Sequence, residues 1–212
     1  MTDQDLADLL RDLGRHRLTE ANAGNVSARR GAGMAISATG IRTDTVTAAD
    51  IVTMDFAGKF AGGWLPSSEW AMHAAIYQVE PAARVIVHTH SDAAVALSCL
   101  DEGLPPFHYM LAEFGGHDVR CAPYATFGTP QLAAHAAAAI EGRSACLLAH
   151  HGMICHGPDG RTALTRAVKL EMLCRQYLLA RAAGPVRCLS EADMEAALAR
   201  YATYGQQPGQ PT

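Results

Sequence analysis

The chain has 212 residues, of which 49% are hydrophobic and 18% charged, and its formal net charge is −4. This composition is typical of one globular domain with a substantial core and argues against a disordered chain. Negative charge offers no general attraction for nucleic acid or an acidic membrane surface. Because no secretory signal and no apolar run of roughly 18 residues is visible, we expect a cytoplasmic protein with no nucleic-acid or membrane partner.

The first predicted element is an amphipathic helix that ends before the turn-prone segment 22–25. Its apolar residues recur at i, i+3, i+4 and i+7, and they are Leu6, Leu9, Leu10 and Leu13. From about residue 25 to 56, short β-favouring pieces near 34–37 and 50–56 alternate with turns rich in Gly, Thr and Asn. This alternation predicts the strand-rich edge of a sheet.

A second helix is predicted after Pro66. Ser67 or Ser68 would cap it, apolar residues recur at helical spacing, and Pro81 closes it after about four turns. Glu69 would lie just inside the helix N-terminus, where the helix dipole favours a carboxylate in any case. Since the helix leads directly into the next strand, Glu69 is also a candidate general base.

That next strand is the apolar run 85–90, which ends in His-Thr-His. Residues i and i+2 of a strand point to the same face, so His88 and His90 would present two imidazoles side by side. They are either ordinary sheet histidines or half of a metal site, because a catalytic zinc takes about three protein ligands. The third ligand could be His150 or His151, and spacing cannot choose between these neighbours.

The rest of the chain predicts a helix over 130–140 capped by Thr129, a buried strand over 145–149, a long helix over 161–181 and a shorter helix after Ser190. Strands and covering helices without a linker indicate one layered α/β domain over residues 1–205, followed by a flexible tail over 206–212. The six cysteines form no C-x-x-C pair and are expected to be reduced.

Several small polar groups could hold an anion. The Ser67 and Ser68 hydroxyls lie at a predicted helix N-terminus, where backbone N–H groups bind phosphate without much net positive charge. The turns 24–27 and 37–40 could add donors, although such residues are common in any turn. The remaining histidines have no comparable partner and are expected on the surface or in the core; they are His16, His73, His108, His117, His135 and His156.

Seven segments together resemble the class II aldolase/adducin family. They are 23–27 (AGNVS), 36–41 (ISATGI), 65–70 (LPSSEW), 87–90 (VHTH), 108–110 (HYM), 122–129 (APYATFGT) and 150–152 (HHG). They occur in order and at proper spacing, and the similarity runs nearly end to end. The resemblance implies a single-domain three-layer α/β/α sandwich around a largely antiparallel sheet, assembled as a homotetramer with active sites between neighbouring subunits.

The resemblance also implies roles for individual residues. One Zn²⁺ per subunit would be held by His88, His90 and His151, and Glu69 would be the acid/base carboxylate. Tyr109 would act from the adjacent subunit as proton donor to the aldehyde oxygen. Phosphate-binding roles are implied for Asn25, Thr39, Gly40, Ser67 and Ser68. Phe127 would lie on the same neighbouring wall, and Tyr204 would close over the aldehyde side.

The implied reaction is reversible cleavage of a ketose 1-phosphate into dihydroxyacetone phosphate and a small aldehyde. L-Fuculose 1-phosphate, 5-deoxyribulose 1-phosphate and 5-(methylthio)ribulose 1-phosphate all fit these motifs. Pentulose-phosphate 4-epimerases and methylthioribulose-phosphate dehydratases share the same histidines and loops, but Tyr109 and Tyr204 favour an aldolase. The second alternative is a binding module, because adducin-type relatives use the fold without catalysis; such a role would not need the competent residue that this chain has at every implied zinc and acid/base position. Glu113 and Phe114 suggest a bulkier aldehyde side.

Overall fold

A computed structural model describes residues 1–201 and 203–204; the tail predicted over 206–212 lies outside this part of the chain. A seven-stranded sheet with the order β3-β2-β1-β4-β7-β6-β5 forms its centre. The strands are β1 Asn25–Arg30, β2 Gly33–Ser37, β3 Ile51–Asp55, β4 Val85–Thr89, β5 Cys121–Ala122, β6 Ala145–Leu148 and β7 Gly152–Gly157. Only the β5–β6 pair of this sheet is parallel, so the largely antiparallel sheet is confirmed.

Helices cover both faces of the sheet. They are α1 Asp3–Arg15, α2 Trp70–Val79, α3 Asp92–Ser98, α4 Pro130–Ile140, α5 Gly160–Ala183 and α6 Glu191–Tyr201. One apolar core lies between the sheet and the layer of α1, α3 and α5, and the other lies against α2 and α4. The three-layer α/β/α sandwich is therefore confirmed.

Strand alternation decides which face β4 offers to the site. Val85 and Val87 pack in the core beside α1, α3 and α5, whereas Ile86 packs in the core beside α2 and α4. His88 is two residues beyond Ile86 and therefore points to the α2 side of the sheet. The start of α2 and the end of β4 thus meet at one corner of the sandwich.

The start of α2 differs from the prediction. The helix has ten residues and begins at Trp70, with Glu69 rather than a serine at the N-cap. The Ser67 N–H donates to the Ser37 carbonyl at 3.0 Å, and the Thr39 N–H donates to the Leu65 carbonyl at 3.0 Å. Because 65–67 is paired as an extended segment, it cannot also supply the first turn of a four-turn helix.

Other elements were predicted correctly or missed for identifiable reasons. The amphipathic opening helix is confirmed as α1, and α4 begins after a Thr129 cap with proline at its first position. β7 was missed because it contains two glycines and a histidine, and its pairing with β4 and β6 fixes its conformation instead. No helix in the described residues is long and apolar enough to cross a membrane.

Candidate active site

Three imidazoles and one carboxylate converge at the corner where α2, β4 and β7 meet. They belong to Glu69, His88, His90 and His151, and their ligand atoms lie within 4.8 Å of one another. His88 is on β4 and His90 follows its end. His151 lies immediately before β7, and Glu69 caps α2. Three separate parts of the chain therefore supply one cluster.

The geometry of the cluster fits a single divalent cation. The three imidazole centroids are 4.8 Å apart in every pair, with interplanar angles between 71° and 76°. The Nε2 atoms of His88 and His90 are 2.9 Å apart. Glu69 Oε2 is 3.0 Å from His88 Nε2. Neighbouring ligand atoms of a tetrahedral zinc, at bonds of roughly 2.0–2.1 Å, lie about 3.3 Å apart, so these spacings are close to those of a zinc shell.

Two further observations support a cation rather than a hydrogen-bonded cluster. The His88 Nδ1–H donates to the Met153 carbonyl at 2.9 Å, which leaves Nε2 as a lone-pair donor. Glu69 Oε1 is buried without a hydrogen-bond partner among the described residues, although His151 Nε2 is only 3.2 Å away. Two electron-pair donors that face each other in this way fit a shared metal ion.

The electrostatics point the same way. Burial favours the neutral form of Glu69, but His88, His151 and Asn25 outweigh it and hold the Glu69 pKa well below its usual range. Burial and then the charge of His88 lower the pKa of His90 to about 4 and that of His151 to about 3. At physiological pH His90 and His151 are therefore neutral and the carboxylate is ionised, as cation binding requires. Burial lowers the pKa of His88, but Glu69 outweighs burial and raises this pKa above its usual value, so a cation that binds here displaces a proton from His88.

A cavity of about 370 Å³ opens beside the cluster. Its lining includes Glu69, His90 and His151 together with every residue for which the sequence implies phosphate binding, namely Asn25, Thr39, Gly40, Ser67 and Ser68. Among the described residues, the backbone N–H groups of Gly40 and Ser68 form no hydrogen bond and are free to bind an anion. A cation cluster and polar anion donors therefore share one cavity.

Two glycines allow the surrounding loops to approach β4 closely. A Cβ atom on Gly24, which has φ +81°, would lie 2.6 Å from the His88 carbonyl oxygen. A Cβ atom on Gly152 would lie 2.3 Å from the Thr89 carbonyl oxygen. Any side chain at these positions would push the loops away from the metal strand, so the glycines serve the close packing around His88 and His151.

The structure resolves the choice between the adjacent histidines. His151 joins the cluster, whereas His150 adopts φ +55° and lies 3.4 Å from Asp101 Oδ1. Its ring stands edge-on to Tyr124, and both residues line the cavity without joining the cluster. The sequence analysis considered His150 only as a possible ligand and did not assign Tyr124 to the cavity wall, although both lie in segments that carry the resemblance, 150–152 and 122–129.

Tyr109 and Tyr204 lie elsewhere. They line a second cavity of about 530 Å³ with Lys169, Arg200 and Tyr201. Among the described residues, the two cavities share no lining side chain. Each chain therefore presents these tyrosines at a surface separate from its own histidine cluster.

Of the residues assigned to the aldehyde side, Phe114 needs correction. Phe127 lines the cavity of its own chain beside the cluster, and its place on a neighbouring wall stays a prediction. Phe114 is fully buried in the core beside α5 and cannot face a substrate. Glu113 pairs with Lys169. A bulkier aldehyde side therefore cannot be argued from Phe114, because its side chain fills the core.

His73 was expected to be an ordinary surface or core histidine. It is fully buried, but its ring bonds to Asn25, which in turn bonds to Glu69. The signal that could have found it is its spacing, because residues four apart on a helix share a face and His73 is four residues after Glu69. The Asn25 amide is therefore engaged by the cluster as well as lining the cavity.

A buried cluster of three imidazoles and one carboxylate, beside an open polar cavity at the edge of an α/β/α sandwich, is typical of metal-dependent enzymes. Residues 4–178 match the model of the Class II Aldolase and Adducin N-terminal domain, and the chain belongs to this family.

Known relatives agree over nearly the full length. The chain is 42% identical to a 5-methylthioribulose-1-phosphate/5-deoxyribulose-1-phosphate aldolase of Rhodospirillum rubrum, over 94% of this chain and 90% of that protein. It is 42% identical to an L-fuculose phosphate aldolase of Escherichia coli, over 94% of each chain. A solved L-fuculose 1-phosphate aldolase superposes with a TM-score of 0.91 at 38% identity, covering 95% of this chain and 96% of that one. The protein is thus an enzyme, a lyase of the class II aldolase type.

Proposed function

We propose that the protein is a zinc-dependent aldolase that reversibly cleaves a ketose 1-phosphate into dihydroxyacetone phosphate and a small aldehyde. The single observation that carries this proposal is the shared cavity, which joins the Glu69 and histidine cluster to the loops of Ser67, Ser68 and Gly40. One ligand with adjacent oxygens and a phosphate matches such a cavity. Relatives named for L-fuculose phosphate and for 5-deoxyribulose 1-phosphate support this substrate class.

The residues of the chain divide the chemical work. A divalent metal, when bound, supplies Lewis-acid polarisation of the substrate oxygens next to the phosphate. Glu69, buried and ionised at the cluster, accepts and returns the proton at C3 of the dihydroxyacetone phosphate fragment. A Schiff-base lysine is not required. Lys59 is exposed and Lys169 pairs with Glu113, and neither residue lines the metal cavity.

We further propose a cytoplasmic homotetramer with active sites between subunits. Tyr109 and Tyr204 are 51% and 76% exposed, and they lie on a surface separate from the metal cavity of their own chain. This placement supports their action on a neighbouring subunit, where Tyr109 would protonate the aldehyde oxygen. All six cysteines are free thiols, in keeping with a reducing compartment.

The decisive experiment is to supply dihydroxyacetone phosphate with L-lactaldehyde, acetaldehyde and (methylthio)acetaldehyde and to compare kcat/KM for ketose 1-phosphate formation. We expect carbon–carbon bond formation with at least one aldehyde, and the ranking assigns the natural substrate. A 4-epimerase or a dehydratase acting on the same phosphates would release no dihydroxyacetone phosphate in the cleavage direction. A binding module would show neither turnover nor stoichiometric metal. The proposal would be contradicted if no dihydroxyacetone phosphate were released from any of these substrates, or if the protein showed neither turnover nor bound metal.

The phosphate end can be tested separately. Replacing both Ser67 and Ser68 by alanine is expected to raise KM for a ketose 1-phosphate about 100-fold, because two hydrogen bonds from hydroxyl groups to the charged phosphate, of about 1.5 kcal/mol each, are lost. The same variant should retain its metal, since neither serine is among the four clustered ligands. Ser144→Ala, a buried serine outside this cavity, is the control. An unchanged KM in the double variant would rule out the assigned phosphate loop.

A further inference from the structure

A chain of hydrogen bonds runs through the interior from Tyr77 to Glu69. The Tyr77 hydroxyl is 2.9 Å from Ser27 Oγ, which is 2.7 Å from His73 Nδ1. His73 Nε2 is 2.6 Å from Asn25 Oδ1, and Asn25 Nδ2 donates to Glu69 Oε2 at 3.1 Å. All five side chains are buried, so water does not compete for these bonds.

The carboxylate fixes the direction of every bond in this chain. An ionised Glu69 only accepts, so Asn25 must turn its NH₂ toward Glu69 and its carbonyl oxygen toward His73. That oxygen also only accepts, which requires the proton of His73 to be on Nε2. Nδ1 is then the acceptor of the Ser27 hydroxyl, and Ser27 Oγ accepts from Tyr77. One arrangement of protons satisfies all four contacts.

We propose that His73 is a positioning residue whose Nε2–H locks the Asn25 amide with its nitrogen toward Glu69, and thereby holds this carboxylate at the metal cluster. The inference rests on the proposed function only for the catalytic role of Glu69. Without the lock, the amide can rotate and turn its oxygen against the carboxylate, which replaces an attraction by a repulsion. His73 would thus act through Asn25 and contact neither substrate nor metal.

The surroundings keep His73 in the state that this role needs. Its side chain is fully buried, and burial lowers the His73 pKa to about 3, so the imidazole is neutral. Both ring nitrogens are used by fixed partners on β1, which pairs directly with β4 so that Asn25 lies opposite His88. These hydrogen bonds of His73 therefore connect α2 to β1, the strand that pairs with β4 and its cluster residue His88.

Three substitutions separate a directional hydrogen bond from simple filling of the core. His73→Gln places an amide N–H near the position of Nε2, His73→Asn places its polar atoms nearer Nδ1, and His73→Phe keeps only the volume. We expect the Asn and Phe variants to lose about 10- to 100-fold in kcat and in zinc affinity, as is usual for residues behind metal ligands. The Gln variant should stay within about threefold of wild type, since its donor is retained.

Two readouts do not depend on turnover. Zinc affinity is measured by competition with a chromophoric chelator, and ¹⁵N NMR of the His73 ring is recorded in metal-free and zinc-loaded protein. We expect a protonated Nε2 and an unprotonated Nδ1 in both states. A protonated Nδ1 with a bare Nε2, or unchanged zinc affinity and kcat in His73→Asn, would overturn the proposal. If His73→Phe does not fold, the comparison of His73→Gln with His73→Asn still tests whether the donor at Nε2 is required.

His156 provides the matched control. Like His73, it is a buried histidine whose Nε2 has a hydrogen-bond partner. In His156 this partner is the main-chain carbonyl of Arg143, at 3.1 Å, and the residue lies away from the metal cavity. His156→Asn should alter stability without altering zinc affinity. A wild-type protein with no aldolase activity would refute the proposed function, while the tautomer and zinc affinity would still test the role of His73.

Discussion

Glu69→Gln is expected to lower kcat by about 100- to 10,000-fold, the usual contribution of a positioned general acid or base. Glutamine keeps the size and one oxygen of the side chain but cannot accept the C3 proton. The three imidazoles remain, with His88 still oriented by the Met153 carbonyl. Zinc should therefore stay bound at one ion per chain, as measured by elemental analysis of the purified variant.

Proton exchange gives a sharper measurement than turnover alone. Wild-type protein should exchange the C3 hydrogen of dihydroxyacetone phosphate with D₂O in the absence of any aldehyde, and Glu69→Gln should not. Glu80→Gln is a matched control, because Glu80 follows the other end of α2 and accepts from the Gly142 N–H at 2.8 Å, outside the metal cavity. Full activity, or normal exchange, in Glu69→Gln would remove the carboxylate from the mechanism.

Local patterns predicted those parts of the fold and site that depend on local geometry. The alternation of β4 and the i, i+2 spacing were enough to bring His88 and His90 to one face, and the Thr129-Pro130 start of α4 needs only its own residues. The start of α2 failed because Ser67 pairs with Ser37, a partner 30 residues away in the chain. A helix-capping pattern contains no information about that competing strand contact.

The same limit applies to the site. Spacing left His150 and His151 equivalent, and only the turn between β6 and β7, with φ +55° at His150, separates them. The resemblance to the aldolase family assigned the ligand role to His151, the histidine that the structure places in the cluster, but it carried no information about His73, whose proposed role depends on contacts between α2 and β1. Motifs predicted the residues that line the cavity and form the cluster, whereas the proposed positioning residue was identified only from contacts in the structure.

His151→Ala is expected to weaken zinc binding by at least about 100-fold, because one of four ligands is lost from a total binding free energy on the order of 12 kcal/mol. Activity should be lost at zinc concentrations on the order of 10 nM, which still saturate the wild-type site at this affinity. His151 Nε2 faces Glu69 Oε1 at 3.2 Å. Replacing the imidazole by a methyl group removes one of the two electron-pair donors that face each other across this distance.

The adjacent histidine makes the test specific. His150→Ala removes an imidazole from the same turn and the same cavity wall, but His150 lies outside the ligand cluster. It should therefore retain one zinc per chain. Wild-type protein treated with a chelator should lose activity and regain it on addition of zinc, whereas His151→Ala should not be rescued at the same zinc concentration. If His150→Ala lost the metal and His151→Ala kept it, the cluster would be assigned to the wrong histidine, and the cation geometry drawn from His88, His90 and Glu69 would have to be rebuilt around His150.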